Sequence, residues 1–138
     1  MIHLTCNLLL SAAALVAGSQ DYATAFKQTE QTGQPLVVLL GADWCPGCRT
    51  MKQSTLPTLE RRGGLNKVAF AYVNTDEDRS LAGKLMKGGS IPQLVMFQRK
   101  ADGSWTRKQL TGAQSASAVE QFLGSAEEAT AAHVSVRQ

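Results

Sequence analysis

The sequence predicts an α/β domain with a mixed four-strand sheet flanked by helices on both faces. Short apolar segments alternate with segments of helical apolar spacing, and this order favours parallel pairing of the strands. Residues 36–40 are five apolar residues without alternation, which is typical of a strand buried on both faces of a sheet. Asp102-Gly103 is a hairpin signal, so the last two strands add an antiparallel edge.

The predicted elements follow one another without an internal repeat or a low-complexity linker. In chain order they are a helix over 21–32, a strand over 36–40, a helix over 46–53, a short helical piece ending at 63–64, a strand over 68–74, a helix over 79–87, strands over 94–98 and 105–110, and a last helix from 115 or 117. Asp21 is a suitable cap for the first helix, and Gly33 ends it.

The second helix begins inside a cysteine motif. Pro46 fits its first turn, because the missing N–H of proline is not needed there. Pro57 is expected to break or kink this helix, and Ser54 or Thr55 to cap a second short piece. The strand over 68–74 is predicted from its β-branched and aromatic residues.

Glycines and serines delimit the remaining helices. The helix after the second strand begins in an acidic stretch, and Gly88-Gly89 are expected to end it. Ser115 or Ser117 caps the last helix, and Ser117 with Glu120 also fits a capping box.

Composition indicates one globular domain. The chain has 138 residues, of which 43% are hydrophobic and 18% charged, with a net charge of +3. Its basic residues form no stripe, which argues against nucleic-acid binding. We assign residues 20–124 to the domain and residues 125–138 to a helical extension or a flexible tail.

The first residues resemble a targeting segment. Residues 1–20 contain no Lys, Arg, Asp or Glu, and 8–17 is an apolar run followed by Gly18 and Ser19. This pattern predicts a secretory signal peptide over 1–19, cleaved after Gly18 or Ser19. The protein is then periplasmic or secreted, or membrane-anchored if cleavage does not occur. Cleavage would also remove Cys6.

Two cysteines remain after cleavage, and their spacing predicts redox chemistry or metal binding. Cys45 and Cys48 close almost no loop, so they cannot staple a fold. At the first turn of a helix they lie close enough for a disulfide, and the helix end favours a thiolate on Cys45. Zinc would need two further ligands, and only His133 and carboxylates are available, so we expect no metal.

Three motifs stand at defined places among the predicted elements: Trp44, Cys45 and Cys48 after a buried strand, Ile91 and Pro92 before the third strand, and Gly112 and Ala113 after the last strand. Together they resemble the thioredoxin superfamily over residues 21–124. The motif from Ala42 to Cys45, followed by Arg49, is also similar to exported bacterial thioredoxin-like domains that handle electrons in the cell envelope.

The resemblance implies a catalytic pair and a docking surface. Cys45 would attack a partner disulfide and Cys48 would then resolve the mixed disulfide. Pro92 would be cis and lie against the disulfide, and its neighbours would pair with an extended peptide. The residues expected to border that surface are Trp44, Pro46, Gly47, Ile91, Pro92 and Gly112.

The chain departs from the family pattern at several positions. Thioredoxins carry a buried acid six residues before the first cysteine and a lysine in the next strand, and here these positions hold Leu39 and Tyr72. The acid normally helps to move the proton of the second cysteine. Gln93 follows Pro92 where threonine is usual, and the order Pro46-Gly47 is reversed.

Three functions remain open at this point. The first is an exported reductase of protein disulfides, fed by a membrane electron donor. The second is an oxidase or isomerase that uses the same residues and passes electrons to an acceptor. The third is a non-catalytic module that binds peptides at the groove around Pro92. We favour the reductase, with protein thiols and disulfides as partners, no cofactor beyond the Cys45–Cys48 pair, and a monomeric state.

Overall fold

The computed structural model describes residues 21–135, and it describes side chains as far as residue 126. The predicted signal peptide over 1–19, with Cys6, lies outside the described residues. In chain order the elements are α1 (Tyr22–Thr32), β1 (Leu36–Gly41), α2 (Pro46–Thr50), a π-helical turn (Met51–Thr55), α3 (Leu56–Arg61), β2 (Ala69–Asn74), α4 (Arg79–Leu85), β3 (Gln93–Arg99), β4 (Trp105–Thr111) and α5 (Ala116–Ser135). Among the described residues no helix has the length and apolarity needed to span a membrane.

The strands form the predicted mixed four-strand sheet, in the order β2-β1-β3-β4. β1 pairs in parallel with β2, and β3 pairs antiparallel with both β1 and β4. The antiparallel orientation of β3 against β1 corrects the prediction that the first three strands are parallel. The predicted hairpin between β3 and β4 is present, with Gly103 at its turn.

α4 alone does not span the length of β2. Its seven residues rise about 10 Å, at about 1.5 Å each. The six residues of β2 span about 20 Å. β3 begins at the end of the sheet where β2 finishes, and it therefore runs antiparallel to β1. The register places Gln93, at the start of β3, opposite Leu40, near the end of β1.

β1 is buried on both faces, as its unbroken apolar sequence predicts. Val37 and Leu39 face one core, and Leu36, Val38 and Leu40 face the other. The first core packs against the π turn, α3 and α5 through Met51, Leu56, Leu59, Val119, Leu123 and Ala126. The second packs against α1 and α4 through Ala25, Ala82 and Leu85. A strand covered on both sides fixes the position of the chain at its carboxyl end.

The helix that begins at the cysteines passes Pro57 without breaking. The π turn places one extra residue in this stretch, and the Leu56 N–H donates to the Met51 carbonyl five residues earlier. The wider turn makes room for the proline ring, which would clash with a carbonyl in a regular α-helix. Neither Ser54 nor Thr55 starts a new helix. Thr55 keeps helical dihedral angles and makes no capping hydrogen bond.

α4 ends earlier than the predicted stop at Gly88-Gly89. Its last residue is Leu85, and Met86 is already extended, with ψ of 147°. The Arg107 guanidinium donates to the Leu85 carbonyl at 2.8 Å. This bond satisfies a carbonyl at the end of the helix, so no further turn is needed for it.

α5 starts with the predicted serine cap and extends beyond Gly124. The Ser115 hydroxyl accepts a hydrogen bond from the Ala118 N–H at 3.1 Å, so Ser115 is the cap. Ser117 lies inside the helix, which removes the predicted capping box. The helix continues to Ser135.

Thr55→Val tests the bond that connects the π turn to the chain after β4. The Thr55 hydroxyl donates to the Gln114 carbonyl at 2.7 Å. Valine keeps the shape but leaves the carbonyl unpaired, so we expect the free energy of unfolding to fall by about 1 kcal/mol, measured by urea denaturation. Thr58→Val, at a half-buried position of the same helix, is the control and should change it by less than about 0.5 kcal/mol. Equal effects of the two changes would show that this bond contributes nothing specific.

Candidate active site

The sulfur of Cys45 occupies the place of a capping oxygen at the start of α2. Cys45 has extended backbone angles, with φ of −82° and ψ of 115°, and its Sγ accepts from the Cys48 N–H at 3.2 Å. Its carbonyl accepts from the Arg49 N–H at 3.1 Å, which is a bond of the first helical turn. An N–H directed at this sulfur, together with the helix dipole, stabilises a thiolate on Cys45 over a thiol.

Cys45 and Cys48 form a disulfide whose two sulfurs are unequally accessible. Their Cα atoms are 5.2 Å apart, within the range that suits a disulfide. Cys45 is 5% exposed and Cys48 is fully buried. A Cβ on Gly41 would lie only 2.9 Å from the Cys48 sulfur, so the end of β1 closes over it. Of the two cysteines, only Cys45 therefore keeps any exposed surface.

Pro92 lies against the cysteine helix, beside the end of β1. The Ile91–Pro92 peptide bond is cis. A Cβ on Gly47 would lie 3.2 Å from the Pro92 ring, so any larger residue would press the helix against the proline. The Ile91 carbonyl oxygen is 3.8 Å from the Cys45 sulfur, and the Pro92 carbonyl accepts from the Gly112 N–H at 2.8 Å.

The chain after β4 completes this side of the site. Gly112 has a positive φ of 89°, a conformation that favours glycine. The next residues turn toward the cysteine helix, and the Gln114 N–H donates to the Met51 sulfur at 3.2 Å. With the Thr55 bond to the Gln114 carbonyl, two contacts hold this segment on the π turn.

Trp44 stands on the surface beside the disulfide. Its side chain is 66% exposed, and its indole N–H donates to the Asp76 carboxylate at 2.9 Å. Asp76 lies in the turn after β2, where the sequence indicated only a solvated helix start. Its role in holding Trp44 has no sequence signal, because the two residues are 32 positions apart.

The structure brings the predicted site residues together at one end of the sheet. The cysteine motif supplies Trp44, Cys45, Pro46, Gly47 and Cys48, the segment before β3 supplies Ile91 and Pro92, and the segment after β4 supplies Gly112. Sequence reasoning missed Gly41, which makes room for the Cys48 sulfur. The signal that could have found it is a glycine at the end of a buried strand.

The positions of the missing acid and lysine lie side by side in the sheet. Leu39 is fully buried and pairs in register with Tyr72. The Lys52 ammonium sits over the Tyr72 ring, 3.9 Å from its centroid. Asp43, the nearest carboxylate in sequence to the motif, is exposed. The buried position that holds an acid in thioredoxins is therefore occupied here by Leu39.

Metal ligands do not converge in the described part of the chain. Among these residues no three His, Cys, Asp or Glu side chains are placed to share an ion. His133 lies in the part of α5 whose side chains are not described.

Comparison with known families identifies the fold. The chain matches the sequence model of the thioredoxin-like domain over residues 22–127, and it therefore belongs to this family. No curated protein is a significant sequence relative of the chain.

Solved structures of thioredoxins share the architecture. A thioredoxin from Thermus thermophilus is 25% identical, with a TM-score of 0.63 over 76% of this chain and 82% of its own. The protein Trxlp from Edwardsiella tarda is 25% identical, with a TM-score of 0.58 over 76% of this chain and 95% of its own. A thioredoxin from Trichomonas vaginalis is 19% identical, with a TM-score of 0.60 over 78% and 93% of the two chains. The last comparison bears on the fold alone.

The family, the fold and the cysteine pair together define a thiol–disulfide oxidoreductase. Protein thiols and disulfides are substrates consistent with this class.

Tyr72→Phe is expected to stabilise the protein at pH 7. The Tyr72 hydroxyl is buried and has no hydrogen-bond partner among the described residues. Removing an unsatisfied hydroxyl while keeping the ring under Lys52 should raise the free energy of unfolding by about 1 kcal/mol, measured by urea denaturation. Tyr22→Phe is the control and should leave stability at pH 7 unchanged.

The same variant should also flatten the alkaline loss of stability. Burial raises the pKa of Tyr72 above its ordinary value of about 10, and the charges of Asp43, Glu77 and Asp76 raise it further. Above about pH 10 the unfolded chain ionises first, so Tyr72 lowers stability as the pH rises toward its folded pKa. A Tyr72→Phe protein with an unchanged slope above pH 10 would contradict this assignment.

Proposed function

We propose that the protein is an exported reductase of protein disulfides that works through Cys45 and Cys48. The observation that supports the thiol–disulfide chemistry is the difference in exposure between Cys45 and Cys48. Cys45 keeps 5% of its surface exposed and accepts an N–H from the helix start, whereas Cys48 is fully buried. This arrangement separates an attacking cysteine from a resolving one.

The reaction would proceed in two exchanges. In the reduced protein the Cys45 thiolate attacks one sulfur of a partner disulfide, forming a mixed disulfide and releasing the other partner sulfur as a thiolate, which takes up a proton. Cys48 then loses its proton and attacks the Cys45 sulfur. The second partner sulfur leaves and is protonated, so the partner gains two electrons and the protein forms the Cys45–Cys48 disulfide.

The groove beside Cys45 would hold the partner chain. Ile91 lies directly before the Pro92 ring, and its carbonyl is near the Cys45 sulfur. An extended peptide could pair with this backbone as an added strand, with its disulfide over Cys45. Trp44, Gly47 and Gly112 would border that peptide.

The reductive direction and the export are supported by sequence. The motif from Ala42 to Cys45 with Arg49 resembles exported domains that carry electrons in the cell envelope. The apolar run over 8–17 supports export to the periplasm or the medium. A reductase outside the cytoplasm needs electrons, so we propose a membrane electron donor as the second partner.

The reduction potential of the Cys45–Cys48 pair tests the direction. Equilibration of the protein lacking residues 1–19 in defined thiol–disulfide buffers should give about −270 mV, the value of a reducing thioredoxin. A value above about −180 mV would instead indicate a disulfide donor or isomerase.

Matched cysteine variants test the roles of the two sulfurs. Cys45→Ser should abolish insulin reduction, because it removes the attacking thiolate. Cys48→Ser should still attack and accumulate a mixed disulfide, visible by non-reducing electrophoresis, because nothing resolves it. If partner binding and the cellular phenotype survive in the doubly substituted protein, the enzymatic role is wrong and a non-catalytic binding module is favoured.

Export is tested by the mass of the protein made from the full chain in a Gram-negative host. We expect a periplasmic product that begins at Ser19 or Gln20. Leu10→Arg is the control, because a charge in the apolar run should block export. An intact chain in the membrane fraction would indicate an anchor, and an intact chain in the cytoplasm would exclude export.

A further inference from the structure

Gln93, the residue after the cis-proline, is fully buried, which is unusual for a glutamine. Its amide is saturated by the backbone of the segment between α4 and β3. Its Oε1 accepts from the Lys87 N–H at 3.2 Å. Its Nε2 lies at hydrogen-bond distance from three carbonyls, those of Lys87 at 2.9 Å, Gly88 at 3.3 Å and Ser90 at 3.0 Å.

In residues 86–91, hydrogen bonds to the Gln93 side chain take the place of the hydrogen bonds of a helix or strand. This segment contains neither helix nor strand. A second glutamine contributes from β4, where the Gln109 Nε2 donates to the Lys87 carbonyl at 3.3 Å. Because backbone groups need partners, the side-chain amides decide the path of the segment.

Three carbonyls of the segment are turned toward Gln93, but the backbone of Ile91 is left for an outside partner. Within the described residues, no backbone group pairs with the Ile91 N–H. The Ile91 carbonyl points toward the Cys45 sulfur, 3.8 Å away. Residues on both sides of Ile91 are fixed, Ser90 by Gln93 and Pro92 by the Gly112 N–H. The position of the Ile91 backbone relative to the disulfide is therefore set by the path of residues 87–90.

We propose that Gln93 is a positioning residue for partner recognition, which holds residues 87–90 so that the Ile91 backbone meets an extended peptide in register with Cys45. The inference rests on the proposed function and deepens it. It makes the preference for protein substrates over small disulfides depend on a residue that contacts neither the substrate nor the cysteines.

The test compares two disulfides that differ in their need for strand pairing. Insulin presents its disulfides on peptide chains, whereas 5,5′-dithiobis(2-nitrobenzoate) has no backbone to pair. Gln93→Met keeps the length of the side chain but removes all its polar bonds. We expect the KM for insulin to rise about tenfold with kcat changed by less than about twofold, because alignment and not chemistry is lost. The rate with the small disulfide, and the equilibrium constant of the Cys45–Cys48 pair in a thiol–disulfide buffer, should both stay within about twofold of wild type.

Gln98→Met is the matched control on the same strand. The Gln98 Nε2 donates to the Ala126 carbonyl at 3.1 Å, at the end of β3 away from the cysteines. This variant should not change the KM ratio of the two substrates, even if it lowers stability. Hydrogen exchange adds a direct readout, because the Lys87 amide should exchange faster in Gln93→Met than in wild type or Gln98→Met.

The outcomes separate this inference from the proposed function. If Gln93→Met alters both substrates equally, or neither, Gln93 does not position the partner, although the oxidoreductase assignment stands. If wild type reduces neither disulfide, the proposed function fails and the inference fails with it. If Gln93→Met does not fold, Gln93→Thr, which is too short to reach Lys87, must show the same selective rise in the KM for insulin.

Discussion

The burial of β1 on both faces is the constraint on which the site depends. Five consecutive apolar side chains divide between two cores, so the strand cannot shift without exposing one of them. Its carboxyl end is therefore a fixed point. Gly41 lies at that point with no side chain, which allows Cys48 to pack against the backbone. The position of the disulfide follows from the core and does not rely on mobile loops.

The site is assembled from segments that the chain brings back separately to the end of β1. The cysteine helix begins there, β3 starts there, and the hairpin returns the residues after β4 to the same place. Small residues let these segments approach closely. Gly41 lies against Cys48 and Gly47 against Pro92, and the Gly112 N–H bonded to the Pro92 carbonyl connects the last segment.

Local patterns were sufficient to predict most of the fold and the reactive pair. The strands, the hairpin and the helix start at the cysteines follow from apolar spacing, Asp-Gly and proline, all of which act over a few residues. The predictions that failed depend on distant partners. The end of α4 depends on Arg107, which is 22 positions from Leu85, and the direction of β3 appears only in its pairing with β1. The continuity of the helix through Thr55 follows instead from the local π turn. The links from Trp44 to Asp76 and from Gln93 to residues 87–90 also have no periodicity that a sequence could show.

The burial of Cys48 has a consequence for oxidative damage as well as for catalysis. Peroxides and other small oxidants would meet Cys45 first, because Cys48 is fully buried beneath Gly41 and the helix. A sulfenic acid formed on Cys45 would therefore have an unoxidised thiol one helical turn away, and the two would condense to the internal disulfide with loss of water. That state is the ordinary oxidised form of the protein. The geometry thus converts a potentially irreversible lesion into a state from which the next electron donor can restore the enzyme.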